Sequence, residues 1–159
     1  MPCDFDFTRL SDCEEWTRML IGNLRAEHAR SGRVEAGALV FARLDRRGRH
    51  VALPIVVGLS PTTSLRDADE RALFGAAIRR AIASFDAVGV LTVGEFALAQ
   101  DGFQCLSVVC SLEHKAGSVL FTLPYVEGAD GWSLGELREE RVLTGIGSLA
   151  GFFTKPMEA

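Results

Sequence analysis

The sequence predicts an α+β domain built in two layers, in the order α-β-β-α-β-β-β, with both helices packed on one face of a single sheet. Three observations predict it. Two stretches carry apolar residues at helical spacing. Asp101-Gly102 stands between two runs of alternating character, and the apolar residues of 91–123 fall on one parity. Asp-Gly favours a two-residue hairpin turn because both central residues need positive φ.

Ser11 followed by Glu14 has the capping-box spacing, and Trp16, Met19, Leu20, Asn23 and Leu24 recur as on one helix face, so residues 12–30 read as a helix ended by Ser31-Gly32. Ala38 to Leu44 and Val51 to Val57 are β-branched, apolar runs around Arg47-Gly48, a hairpin whose second strand Pro54 restricts to an edge or a bulge. A second helix follows, capped by Ser64 and opened by acidic residues at 67, 69 and 70. Its broad apolar face comprises Leu73, Phe74, Ala77, Ile78, Ala81, Ile82 and Phe85.

An antiparallel meander then occupies residues 88–125. The Asp101-Gly102 turn sets Glu95 opposite Val108 and Val93 opposite Cys110. A second turn at Ala116-Gly117 sets His114 opposite Val119 and Leu112 opposite Phe121. With a side-chain period of two, Leu91, Val93, Leu106, Val108, Cys110, Leu112, Val119, Phe121 and Leu123 share one face with Glu95, while Thr92, Ser107, Ser111, Glu113 and Thr122 make a wetter face. Hairpin and meander together predict five strands. Residues 127–159 read as a peripheral C-terminal segment of a single domain spanning 1–159. In it Ser133 and Glu136 suggest a short helix over 134–141, and the Gly-rich stretch from Leu143 to Phe153 packs apolar side chains on the body or on another subunit.

A chain of 159 residues that is 48% hydrophobic has ample material for one core. A net charge of −4 and a pI near 5.4 argue against a general polyanion binder, which leans on a basic surface, so nucleic acid is not an expected partner. All but two of the 17 basic residues are Arg, a bias that with the abundant Ala and Gly suits a GC-rich bacterial genome. Cysteines 3, 13, 105 and 110 show neither C-x-x-C nor zinc-ligand spacing, so no metal or cofactor is expected. Reduced, packed thiols imply a cytoplasmic location. No signal peptide and no membrane-spanning run is evident.

Glu95 is the foremost candidate for a catalytic role, because a carboxylate on an apolar face costs several kcal/mol, on the order of a lost charge-solvent interaction, unless it is neutralised, bonded or paired. The bland alternative is an ion pair with Arg79 or Arg80 of the second helix, or with a second subunit. Glu113-His114-Lys115 resembles the second half of the motif of the PD-(D/E)xK nucleases, in which carboxylates hold a metal and the Lys assists the attacking water. Parity puts Glu95 on the opposite face, however, and a turn follows Lys115 where that family has a helix. Cys110 and His114 share a face but lie four strand residues apart, about 13 Å at the usual rise, too far for nucleophile and base. His28, near a helix end, has no partner in the sequence. The hairpin tip at 43–50 offers Arg46, Arg47 and Arg49 as a phosphate site, against the plainer reading of a solvated charged turn. Gly145 to Gly151 lacks the spacing of a phosphate loop.

The segment Val93-Gly-Glu-Phe-Ala-Leu-Ala99, with Leu112-Glu-His-Lys115 one hairpin later, resembles a pattern of small bacterial and phage proteins of unknown function. That likeness implies no activity and draws attention to Glu95 and Glu113. The function expected is that of a binding or assembly module acting as a homo-oligomer, since the apolar content, including Phe152-Phe153, exceeds what one sheet and two helices need. The alternatives are a metal-dependent hydrolase or nuclease using Glu113 and Lys115, and a phosphate or nucleic-acid binder through the Arg-rich hairpin.

Overall fold

The computed structural model describes residues 5–46, 49–57, 67–100, 102–142 and 152–153. Two helices, α1 (Leu10–Ser31) and α2 (Ala68–Ser84), accompany seven antiparallel strands: β1 (Gly37–Arg46), β2 (Arg49–Val57), β3 (Gly89–Gln100), β4 (Phe103–His114), β5 (Gly117–Gly128), β6 (Gly131–Leu134) and β7 (Arg138–Val142). The α+β class and the α-β-β-α-β-β-β order of the first seven elements are as expected. Strands run β2-β1-β3-β4-β5-β6 across the sheet, and β7 also pairs with β5. Pro54 lies on β2, the edge position to which its missing N–H confines it.

The β3–β4 register agrees with expectation at every pair named, including Glu95 with Val108 and Val93 with Cys110. The β4–β5 register is two residues off: His114 pairs with Gly117 and Leu112 with Val119. The turn is Lys115-Ala116, because the Ala116 N–H donates to His114 Nδ1 at 3.0 Å and the Lys115 N–H to the Val88 carbonyl at 3.0 Å. A slip of two leaves parity unchanged, so the expected apolar face survives. Leu91, Val93, Val108, Cys110, Leu112, Val119, Phe121 and Leu123 form one core with Phe41 and with Phe7, Cys13 and Ile21 from the N-terminal segment and α1.

The helices do not share a face. Phe74 and Ile78 of α2 pack instead on Ala38, Val40 and Val90, which have the opposite parity, and Phe152 and Phe153 join that second core. The face expected to be wet is consequently covered: Thr92, Ser107, Ser111 and Glu113 are all buried. Short polar side chains are admitted there because the hydroxyls can bond the neighbouring backbone, as Thr92 Oγ1 does toward the Ser111 carbonyl at 3.5 Å.

Two capping assignments change. No side chain caps α1, whose N-cap is Arg9. Ser11 lies within its first turn, and Asp6 organises the approach by accepting from the Thr8 N–H and hydroxyl. Glu14, expected to close that capping box, is buried and forms an ion pair with Arg141, whose Nη1 stands 2.7 Å from Oε1. Asp67 caps α2, accepting from the Asp69 and Glu70 N–H groups. Ser64 lies outside the described residues.

The helix expected over 134–141 is two strands. Residues 131–134 pair with the second half of β5 and 138–142 with its first half, so the segment expected to be peripheral adds to the sheet as far as Val142. Pro124 stands where the two partners change over. Its carbonyl accepts the Gly135 N–H at 2.7 Å, and since a strand residue's N–H and C=O point the same way, its missing donor faces that gap. Arg18 fastens β7 to α1 by a two-pronged bond to Glu139. The rest of the segment 143–151 lies outside the described residues.

Candidate functional site

A concavity lies where α1 stops short of covering the sheet. Gly32 at φ 73 takes the left-handed cap conformation that only glycine adopts cheaply, and its N–H closes on the His28 carbonyl. Arg25 donates to the Leu134 and Gly135 carbonyls at 3.1 and 2.7 Å, which pins the last turns of the helix to β6. Beyond that point the face carrying Glu95 is open. Strand register brings Tyr125, Trp132 and Leu134 onto the same face, because Tyr125 pairs with Leu134 and Trp132 with Glu127.

The result is a groove of about 540 Å³ between His28 and Gly32 of the α1 end, Glu95 of β3, Cys105 and Leu106 of β4, and Tyr125 with Trp132 from β5 and β6. At its polar centre the Tyr125 hydroxyl donates to Glu95 Oε1 at 2.7 Å. Burial, and next the Glu95 bond, push the phenol well above its ordinary pKa, so it remains a donor at neutral pH. The His28 ring is buried against Tyr125, with centroids 5.4 Å apart. Glu95 therefore has neither expected arginine. Arg79 belongs to α2, on the other face, where its guanidinium lies 5.1 Å from the centre of the Phe152 ring.

Glu113, His114 and Lys115 border a smaller depression of about 180 Å³ with Ser118 and Phe153. Glu113 is buried and its Oε2 accepts the Phe152 N–H at 3.0 Å, while Glu95 stands on the opposite face, so the two carboxylates do not converge. Lys115 is exposed in the turn. Asp101 lies outside the described residues. No cluster of three or more His, Cys, Asp or Glu side chains has metal-holding geometry among the described residues.

His114 has a different employment. With Nδ1 accepting from Ala116, Nε2 must carry the proton and donates to the Phe7 carbonyl at 3.1 Å, tying the N-terminal segment to the meander. Burial holds its pKa below the ordinary 6.5, helped by Lys115, and a second proton would also have to displace the Ala116 donor. Below about pH 6.5 the unfolded chain takes up a proton that the native state refuses, so stability present above that pH is lost as the pH falls through the folded value. We expect urea denaturation between pH 7.5 and 5.5 to show a decline steeper in the native protein than in His114→Gln, by at most about 1.4 kcal/mol per pH unit, the limit for one proton. Parallel profiles would contradict this assignment.

The described cysteines 13, 105 and 110 are free. Burial pushes the Cys13 and Cys110 thiols up to about 12, which removes them as nucleophiles at neutral pH. At the Arg-rich tip, Arg46 and Arg49 form the last pair of the β1–β2 ladder, and Arg47 lies outside the described residues. Among the described residues no helix is long and apolar enough to cross a membrane.

Sequence reasoning found Glu95 but missed the company it keeps. Tyr125 entered only as the end of a strand, and Trp132 fell in a stretch read as leading into a helix. No family model matches this chain, and neither a curated protein nor a solved structure matches it.

Proposed function

We propose that the protein is a binding module whose groove between the α1 end and strands β3–β6 takes a small, largely apolar molecule. One observation carries this reading: a concavity of about 540 Å³ has aromatic and aliphatic walls around a single hydrogen-bonded carboxylate. That volume lies within the range of about 300–1,000 Å³ usual for ligand pockets, which pair apolar lining with a few placed polar groups. Binding is favoured over catalysis because the Glu95 carboxylate is engaged by the Tyr125 hydroxyl and the rest of the lining is mostly apolar. Buried free thiols at Cys13 and Cys110 support a reducing, cytoplasmic setting. The exposed apolar side chains Phe103 and Val126, on the sheet face opposite the groove, support self-association as the accompanying property.

Nile red, a neutral dye whose emission rises in apolar surroundings, should bind saturably at one site per chain. Leu106 is 43% exposed, so Leu106→Trp should fill the groove without disturbing the core and weaken dye binding about tenfold or more. Unsaturable dye uptake, or uptake indifferent to that substitution, would overturn the reading.

A further inference from the structure

We propose that the groove selects a small organic cation, an amine or quaternary ammonium borne on an apolar body, an inference that rests on the groove being a ligand site. Glu95 uses Oε1 to accept the Tyr125 hydroxyl, and Oε2 has no protein donor among the described residues. A half-buried carboxylate with an unused oxygen on an apolar floor is a costly arrangement for the empty protein and a favourable one once a cation arrives.

Among the described residues no Lys or Arg lines the groove. The guanidinium of Arg25 is already committed to the Leu134 and Gly135 carbonyls, and Arg33, which follows Gly32, is exposed and not part of the lining. Register places Glu127 directly opposite Trp132, and both are exposed, so a second carboxylate stands at the rim. The walls suit the same ligand. Tyr125 and Trp132 offer electron-rich ring faces, and the indole is 62% exposed, free to cover whatever enters. An anionic ligand would meet two like charges. A neutral one without a hydrogen-bond donor would strip water from Glu95 and return nothing, whereas a cation satisfies the carboxylate and the rings together.

The test compares benzyltrimethylammonium with its neutral carbon isostere neopentylbenzene and with the anion phenylmethanesulfonate, each competing against Nile red and, for the cation, measured directly by calorimetry. The cation should bind at least about tenfold tighter than the isostere, and the sulfonate should not compete. Glu95→Gln, which retains an acceptor for the Tyr125 hydroxyl, should cost the cation about tenfold and leave the isostere unchanged. Trp132→Leu should reduce the cation's advantage by a smaller factor. Equal affinities for cation and isostere, or a cation indifferent to Glu95→Gln, would overturn the charge selectivity. If Nile red is bound at the groove in that case, only the selectivity falls; if Nile red itself finds no saturable site, the groove reading falls with it.

Discussion

Phe7→Ala should destabilise the protein by about 3–5 kcal/mol, the range for truncating a buried aromatic. Phe7 is only 2% exposed although it precedes the first helix. Its ring stacks on Phe41 at 5.1 Å and meets Trp16 edge-on at 5.9 Å, so three elements converge there: the N-terminal segment, α1 and β1. Its carbonyl accepts from both His114 Nε2 and Cys13 Sγ. Loss of the ring therefore leaves a cavity under α1 and loosens the segment that orients that carbonyl. In a chain of this length the melting temperature should fall by roughly 10–15 °C. Phe103→Ala is the matched control, since that side chain is 75% exposed and its removal should stay within about 0.5 kcal/mol. Urea unfolding followed by circular dichroism reads both. A loss below about 1 kcal/mol for Phe7→Ala would show that α1 is held without it.

Gly89→Ala is expected to cost about 1–3 kcal/mol, as overpacking does in a closed site. A Cβ there would stand 3.1 Å from the Glu113 carbonyl oxygen, 3.1 Å from His114 Cδ2 and 3.2 Å from Phe41 Cδ2. Backbone lies on one side and two buried rings on the other, so no flexible chain end can yield. The residue is required by close approach of β1, β3 and β4, where Gly89 pairs with both Phe41 and His114. Adding Phe41→Leu should recover part of the loss, because it removes one of the three obstructions. Additive losses in the double variant would instead locate the strain at the Glu113 carbonyl.

How much of this was legible in the sequence depended on whether the determinant was local. Asp101-Gly102 set the β3–β4 register because a two-residue turn fixes pairing at short range. The next turn was misplaced by one residue, which shifts the register by two: its position depends on the His114 ring and the Val88 carbonyl, and the latter belongs to the chain entering β3. Face assignment survived because two is the period of a strand. The distribution of the helices could not be seen, since α2 has a broad apolar face and would suit either side of the sheet. Serines and threonines on the second face read as solvent-facing, yet short hydroxyl side chains are tolerated beneath a helix when the backbone can accept from them. Ser133 and Glu136 likewise have cap spacing, but β5 had an unpaired edge, and satisfying it decided for strands. Within the groove Glu95 announced itself as a charge out of place. Tyr125 and His28 reached it only through tertiary geometry, one through strand pairing and the other through the helix crossing the sheet.

The borders of the sheet have a bearing on self-association. At one end β2 is interrupted by Pro54, and at the other the outer side of β5 is divided between two strands of four and five residues, with Pro124 at the join. Neither of these outermost strands presents a long uninterrupted ladder of free amides and carbonyls, whereas β3 beyond Val93 pairs, among the described residues, with β4 alone and leaves its other side unpaired over 94–100. The outermost strands are thereby poor templates for the strand-by-strand addition of neighbouring copies.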